Sequence, residues 1–236
     1  MREYAVGDEP VPGYPIIRPL GAGGYGTVWV AMSPGDVEIA LKIINLQGQG
    51  LKEFRAIGLV KKLRHPNLIP IYAFWLKDEY GNLLDAGAQD SVNLRGKSFE
   101  LIIAMGLGDK SLAQRLDECK KAFAERHSLT NIDDAVVAKL QELGGSDLGG
   151  IPVEELLEYM FGSARAIDYL NQPTHNLGAG APSAIQHCDI KPGNLLIVSN
   201  DVQVCDYGLA RVTDDARKTQ AAGTPAYMAP ELFANK

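Results

Sequence analysis

His187-Cys188-Asp189-Ile190-Lys191-Pro192-Gly193-Asn194 concentrates a carboxylate, a cation and a side-chain amide in one short loop. A turn built on Asp, Asn and Pro accounts for that composition. It does not account for the order, in which a candidate base, a cation two places on and a candidate metal ligand five places on share one loop. Twelve residues after Asn194 comes Asp206-Tyr207-Gly208, preceded by the strand-like Val202-Gln203-Val204-Cys205. Taken singly, an Asp-Tyr-Gly is most often a turn.

Upstream, Gly21-Ala22-Gly23-Gly24-Tyr25-Gly26-Thr27-Val28 fits G-x-G-x-x-G-x-V, where missing side chains let backbone amides approach phosphate oxygens. Any one glycine cluster is by itself better read as a hairpin turn that needs positive backbone angles. A dinucleotide-binding fold would need a helix directly after the glycines, whereas Thr27-Val28-Trp29-Val30-Ala31-Met32 reads as a strand. Strand, glycine loop, strand describes a flap over phosphates. Next comes Ala40-Leu41-Lys42 within the apolar run from Ile39 to Ile44. Alternation puts Lys42 on the face of Ala40, and apolar neighbours make a lysine without a partner costly there.

Gly223-Thr224-Pro225-Ala226-Tyr227-Met228-Ala229-Pro230-Glu231 completes five ordered motifs. Together they resemble the eukaryotic-like protein kinases from about residue 14 to the last, and are similar to the bacterial serine/threonine members. Lys191 two places after Asp189, with the G-T-P-x-Y stretch around Thr224, resembles serine/threonine rather than tyrosine kinases.

The resemblance implies an α+β, two-lobed fold: a β-rich small lobe over residues 14–104, an incomplete helical lobe over 105–236, and an N-terminal extension over 1–13. It implies ATP and Mg2+ in the cleft and transfer of the γ-phosphoryl group to serine or threonine of a protein, autophosphorylation included. Asp189 would orient the acceptor hydroxyl and take its proton, Lys191 would neutralise charge on the transferred group, and Lys42 would hold phosphates. Asn194 and Asp206 would hold the metal. Gly21, Ala22, Gly23, Gly24 and Gly26 would cover the phosphates. Val28, Ala40 and Leu196 would line the adenine pocket, with a hinge within 104–107 that includes Met105 and Leu107. Either Ala104 or Met105 would guard the back of that pocket, and Gly106 would make the hinge pliable.

Three departures qualify the resemblance. The helix glutamate that partners the strand lysine is expected where Ala56 stands, and Glu53 is its nearest substitute, about 60° round the helix and roughly 4.5 Å along it. Cys188 replaces an arginine that receives an activation-loop phosphate, so weak dependence on phosphorylation of Thr219 or Thr224 is expected. The sequence ends five residues after Glu231, which suggests a truncated kinase. A pseudokinase or truncated remnant serving as a nucleotide-binding or protein-interaction module is the alternative. A small-molecule phosphotransferase fits the G-T-P and A-P-E segments less well.

Composition sets outer limits. With 46% hydrophobic residues in 236, the chain can bury a substantial core. Its 23 basic and 29 acidic residues, net −6, argue against a general nucleic-acid binder. Cys119, Cys188 and Cys205 are odd in number and lack zinc-ligand spacing, which suits reduced thiols in the cytoplasm. No signal-peptide run or membrane-spanning stretch is apparent.

Patterning predicts strands over 14–20, 27–32, 39–44, 68–76 and 99–105, and helices over 51–63, 133–143 and 153–170. The last of these carries Leu156, Met160, Ile167 and Leu170 as its apolar face. Residues 77–98, 119–150 and 172–184 read as loops or insertions.

Overall fold

The computed structural model describes residues 3–23, 26–46, 57–84, 99–128, 149–176, 181–212 and 223–233. Five antiparallel strands build the first half: β1 (Ile16–Gly23), β2 (Gly26–Ser33), β3 (Val37–Asn45), β4 (Ile71–Lys77) and β5 (Glu100–Met105). Their order is β1-β2-β3-β5-β4. All five predicted strands are present, with β4 starting three residues later than expected. The β1–β2 register shifts next to Pro19, a residue without an amide to give to the ladder.

Strand alternation gives the sheet two working faces. In β3, Ile39, Leu41 and Ile43 join an outer apolar cluster with Ile102 and Ala104 of β5. Ile44, Leu101, Ile103 and Met105 point the other way into the main core, while Ala40 and Lys42 line the cleft. One slip in register would exchange these faces.

The second half brings β6 (Lys110–Ser111), helix α1 (Leu112–Arg126), helix α2 (Val153–Asn171) and β7 (Ile185–Gln186). A hairpin of β8 (Leu195–Val198) and β9 (Asp201–Val204) and a short β10 (Arg211–Val212) complete it. Sheets β6-β8-β9 and β10-β7 hold the loops around the cleft. Among the described residues, no helix is long and apolar enough to cross a membrane.

Two expectations are corrected here. Residues from Cys119 to Arg126 do not belong to an insertion, because α1 runs through them from a capping box: Ser111 Oγ accepts the Gln114 amide at 3.2 Å and Gln114 Oε1 accepts the Ser111 amide at 2.7 Å. In α2 the buried stripe is Tyr159, Gly162, Ser163, Ala166 and Leu170, with Met160 exposed. Small residues win this face because the helix lies close to β9; a Cβ on Gly162 would stand 2.8 Å from Val202 Cγ1. A bidentate Arg115–Glu155 pair, at 2.6 and 2.8 Å, ties α1 to α2.

The lobes are sewn together along residues 67–69. Val204 donates its amide to Asn67 O at 2.8 Å, and Ile69 donates to Val204 O at 2.9 Å. Asn67 Nδ2 adds bonds to Asp201 Oδ1 and Val202 O, both 2.9 Å. Residues 57–60 are helical and the chain turns before Pro66. Glu53, Ala56, Gly24, Thr219 and the predicted helix at 133–143 lie outside the described residues.

Candidate active site

The loop from His187 to Asn194 turns sharply at Cys188, whose φ of 66° is left-handed and unusual for a side chain that is not glycine. His187 holds the turn from beneath. Its Nδ1 accepts the Asp189 amide at 3.3 Å, which leaves Nε2 to donate to Cys205 O at 2.9 Å. Burial lowers its proton affinity, against the pull of that hydrogen bond and of Asp206 and Asp189, so the ring is neutral near pH 7. A 3-10 turn over Pro192–Asn194, opened by a proline with no amide to satisfy, closes the loop.

Both Asp189 oxygens are fully engaged. Oδ1 accepts the Thr224 amide at 2.9 Å and the Thr224 hydroxyl at 2.8 Å. Oδ2 accepts Asn194 Nδ2 at 3.1 Å and pairs with Lys191 Nζ at 2.9 Å. Lys191 Nζ also donates to Thr224 Oγ1 at 2.8 Å. Burial pushes the Asp189 carboxyl up, but hydrogen bonds from Lys191 and Thr224 and the charge of Lys191 outweigh it and hold the group below the usual carboxylate range.

Asp206 also has a left-handed φ, 62°. Its Oδ1 meets Lys42 Nζ at 2.9 Å and receives the Gly208 amide at 3.4 Å. Burial raises this carboxyl too, and the charge and hydrogen bond of Lys42 more than reverse it. Tyr207, 5% exposed, fills an apolar site, and its hydroxyl is satisfied by Val204 O at 3.1 Å. The tyrosine therefore packs as an aromatic and adds a hydrogen bond.

Lys42, Asn194 and Asp206 line one cavity of about 550 Å³ between the lobes. Gly21, Val28, Ala40, Lys42, Met105, Leu107, Asn194, Leu196 and Asp206 line it, whereas Ala22 and Gly26 are not on its wall. Asp189 sits beside this wall, joined to it through Asn194. Between the two candidates for the back of the pocket, Met105 lines the cavity and Ala104 belongs to the outer cluster.

Sequence reasoning misses Leu20, Gly108 and Cys205 on the wall. Leu20 had a signal, being the apolar residue just before Gly21. Cys205 is buried, and desolvation pushes its thiol up to about 12, so it is a neutral wall. Gly108 is required by close approach: a Cβ there would lie 2.8 Å from Leu196 Cβ. Gly106 is likewise a packing glycine, with its amide on Pro70 O at 3.0 Å and Pro70 Cδ 3.0 Å from where a Cβ would be.

The donor set suits a hard cation. Both Asn194 bonds to Asp189 come from Nδ2, to the main-chain O at 2.8 Å and to Oδ2, which leaves its amide oxygen as the remaining donor. Asn194 and Asp206 line the same cavity. One carboxylate and one amide oxygen fit Mg2+, which keeps waters and takes phosphate oxygens for its other positions.

A sheet-rich lobe, a second lobe with its helices and a carboxylate loop at their boundary make a two-lobed architecture around one cavity. The chain belongs to the protein kinase domain family, whose model matches residues 14–236. It is 29% identical over 219 residues to a G-type lectin S-receptor-like serine/threonine-protein kinase of Arabidopsis thaliana, across 90% of this chain and 20% of that protein. It is 28% identical over 235 residues to the serine/threonine-protein kinase Nek4 of Mus musculus, covering 96% and 23%. To the interferon-induced, double-stranded RNA-activated protein kinase of Rattus norvegicus it is 26% identical over 236 residues, covering 97% and 38%. The chain thus spans well under half the length of these relatives.

Proposed function

We propose that the chain binds ATP with Mg2+ in the interlobe cavity and transfers the γ-phosphoryl group to a serine or threonine hydroxyl of a protein, its own chain included. The observation that carries this reading is Asp189: a carboxylate kept ionised beside the nucleotide-sized cavity and fixed by Thr224, Lys191 and Asn194. Val28, Ala40 and Leu196 sandwich the base, and Met105 closes the back. Lys42 binds phosphate oxygens, and Asn194 and Asp206 hold the metal. Held there, Mg2+ would supply positive charge that offsets the charge of the phosphates.

The acceptor hydroxyl forms a bond to the γ-phosphorus while the bond from that phosphorus to the bridging oxygen of ADP breaks. Its proton passes to Asp189, and ADP leaves. Lys191, held against Asp189 and Thr224, places a positive charge beside the group in flight. Three free thiols suit a reducing, cytoplasmic setting.

The test is phosphate transfer from ATP-Mg to a basic protein and to the chain itself, with Asp189→Asn in parallel and thermal shifts with ATP, with and without Mg2+. Transfer that falls by about 10²-fold or more in the variant supports the reading. Magnesium-dependent stabilisation with no transfer would instead favour a nucleotide-binding module.

A further inference from the structure

Residues 3–13 precede the part of the chain that matches the family model, yet they are bound into the small lobe. Gly7 donates its amide to Ile16 O at 2.9 Å, and Ile16 donates back to Asp8 O at 2.8 Å, so the segment doubles back alongside the start of β1. Asp8 secures the bend, its Oδ2 accepting the Ala5 amide at 2.8 Å. Two side chains then reach onto the sheet. Val11, 3% exposed, is part of the outer cluster with Ile39, Leu41 and Ile43 of β3 and Ile102 and Ala104 of β5. Tyr4 packs against the same cluster, donates its hydroxyl to Glu100 Oε2 at 2.8 Å, and has Lys77 Nζ 5.8 Å from its ring centre. Glu100 and Lys77 are paired across β5 and β4, so Tyr4 anchors at the far end of both strands.

We propose that residues 3–13 act as a strap that sets nucleotide affinity by clamping the outer face of β3 and β5, whose inner faces carry Ala40, Lys42 and Met105. The inference rests on the nucleotide reading above. The sheet is one residue thick, and the residues under the strap alternate directly with those on the cleft. Loosening Leu41 or Ile102 therefore shifts the backbone that aims Lys42 and Met105. Residues 5–9 are exposed, so the side-chain attachment rests on Tyr4 at one end and on buried Pro10 and Val11 at the other.

The experiment compares the full chain with Val11→Asp and Tyr4→Phe by amide hydrogen exchange without nucleotide and by ATP-Mg titration well below the unfolding midpoint. Exchange in β3 and β5 should quicken by about tenfold in Val11→Asp and about twofold in Tyr4→Phe, while α2 amides keep their rates. The dissociation constant for ATP-Mg should rise about 3- to 10-fold in Val11→Asp. A merely structural contact would lower the unfolding midpoint and leave the affinity of the folded molecules unchanged, which overturns the proposal, as do wild-type exchange rates in β3 and β5. Should Val11→Asp unfold the whole chain, Tyr4→Phe decides by the same two readouts. Exchange needs no nucleotide, so the two failures are distinguishable: a wild-type chain that fails to bind ATP sinks the nucleotide reading, while wild-type exchange in β3 and β5 of the variants sinks the clamp.

Discussion

Lys42 Nζ lies 2.9 Å from Asp206 Oδ1, an ion pair across 164 positions that joins the inner face of the small lobe to the end of β9. The lysine side chain is 11% exposed and the aspartate 33%, so the pair lies between a surface bridge and a buried one. Lys42→Met is expected to destabilise the chain by about 1–3 kcal/mol, less than the loss from a fully buried pair. Because the pair depresses the folded-state affinity of Asp206 for protons, its contribution is present above the ordinary aspartate range and is lost as pH falls through the folded value. Urea unfolding at neutral and acid pH checks both points: the gap between wild type and Lys42→Met should shrink on the acid side. Equal stabilities at neutral pH would show that the pair contributes nothing.

Thr224 touches Asp189 twice and Lys191 once, which gives its hydroxyl a positioning role. Thr224→Val removes the hydroxyl but keeps the amide. A hydrogen bond to a charged group contributes about 1.5–3 kcal/mol, so transfer should slow by about 10- to 150-fold. Thr224→Ser should recover most of the rate. Turnover of the two variants at saturating ATP separates this from a steric effect, since both change the γ-methyl environment but only one loses the oxygen.

Gly108 makes a sharper demand on the pocket. Alanine there would press on Leu196, a wall residue, at 2.8 Å. Gly108→Ala is expected to weaken ATP binding by about tenfold or more with a modest change in unfolding midpoint. Calorimetric titration and thermal unfolding on the same sample check the two parts. Unchanged affinity would mean that the backbone at Gly108 yields without narrowing the cavity.

The family was legible because five motifs fall in order along the chain, and one loop from His187 to Asn194 concentrates a carboxylate, a cation and an amide. Alternation in Ile39-Ala40-Leu41-Lys42 also announced which residues share a face. Helix α1 was hidden because it buries only Leu112, Phe123 and Ala124, too few and too near its ends for an apolar period to show, although Ser111 and Gln114 gave a capping signal. The face of α2 was misjudged by weighting large side chains, when close approach to β9 selects Gly162, Ser163 and Ala166. Val11 and Gly108 take their meaning from residues distant in sequence, Ile102 for one and Leu196 for the other, and no local pattern marks such contacts.

His187 links the loop that carries Asp189 to the segment before Asp206, and its neutrality has a pH signature. Its folded-state proton affinity lies below that of an ordinary histidine, chiefly through burial, so on acidification the unfolded chain takes up this proton first. The stability due to the neutral ring is therefore complete above about pH 6.5 and declines as pH falls below it, by at most about 1.4 kcal/mol per pH unit for one proton. His65 is shifted in the same direction by burial and by the charge of Arg165, so the wild-type slope between pH 7 and 5 contains both rings. His187→Gln keeps a donor for Cys205 O and removes the titration. Its unfolding free energy should fall less steeply over that interval, even if it starts lower at pH 7. Urea melts at half-unit steps provide the comparison, and a slope identical to wild type would place the acid sensitivity on His65 rather than on the ring beneath Asp189.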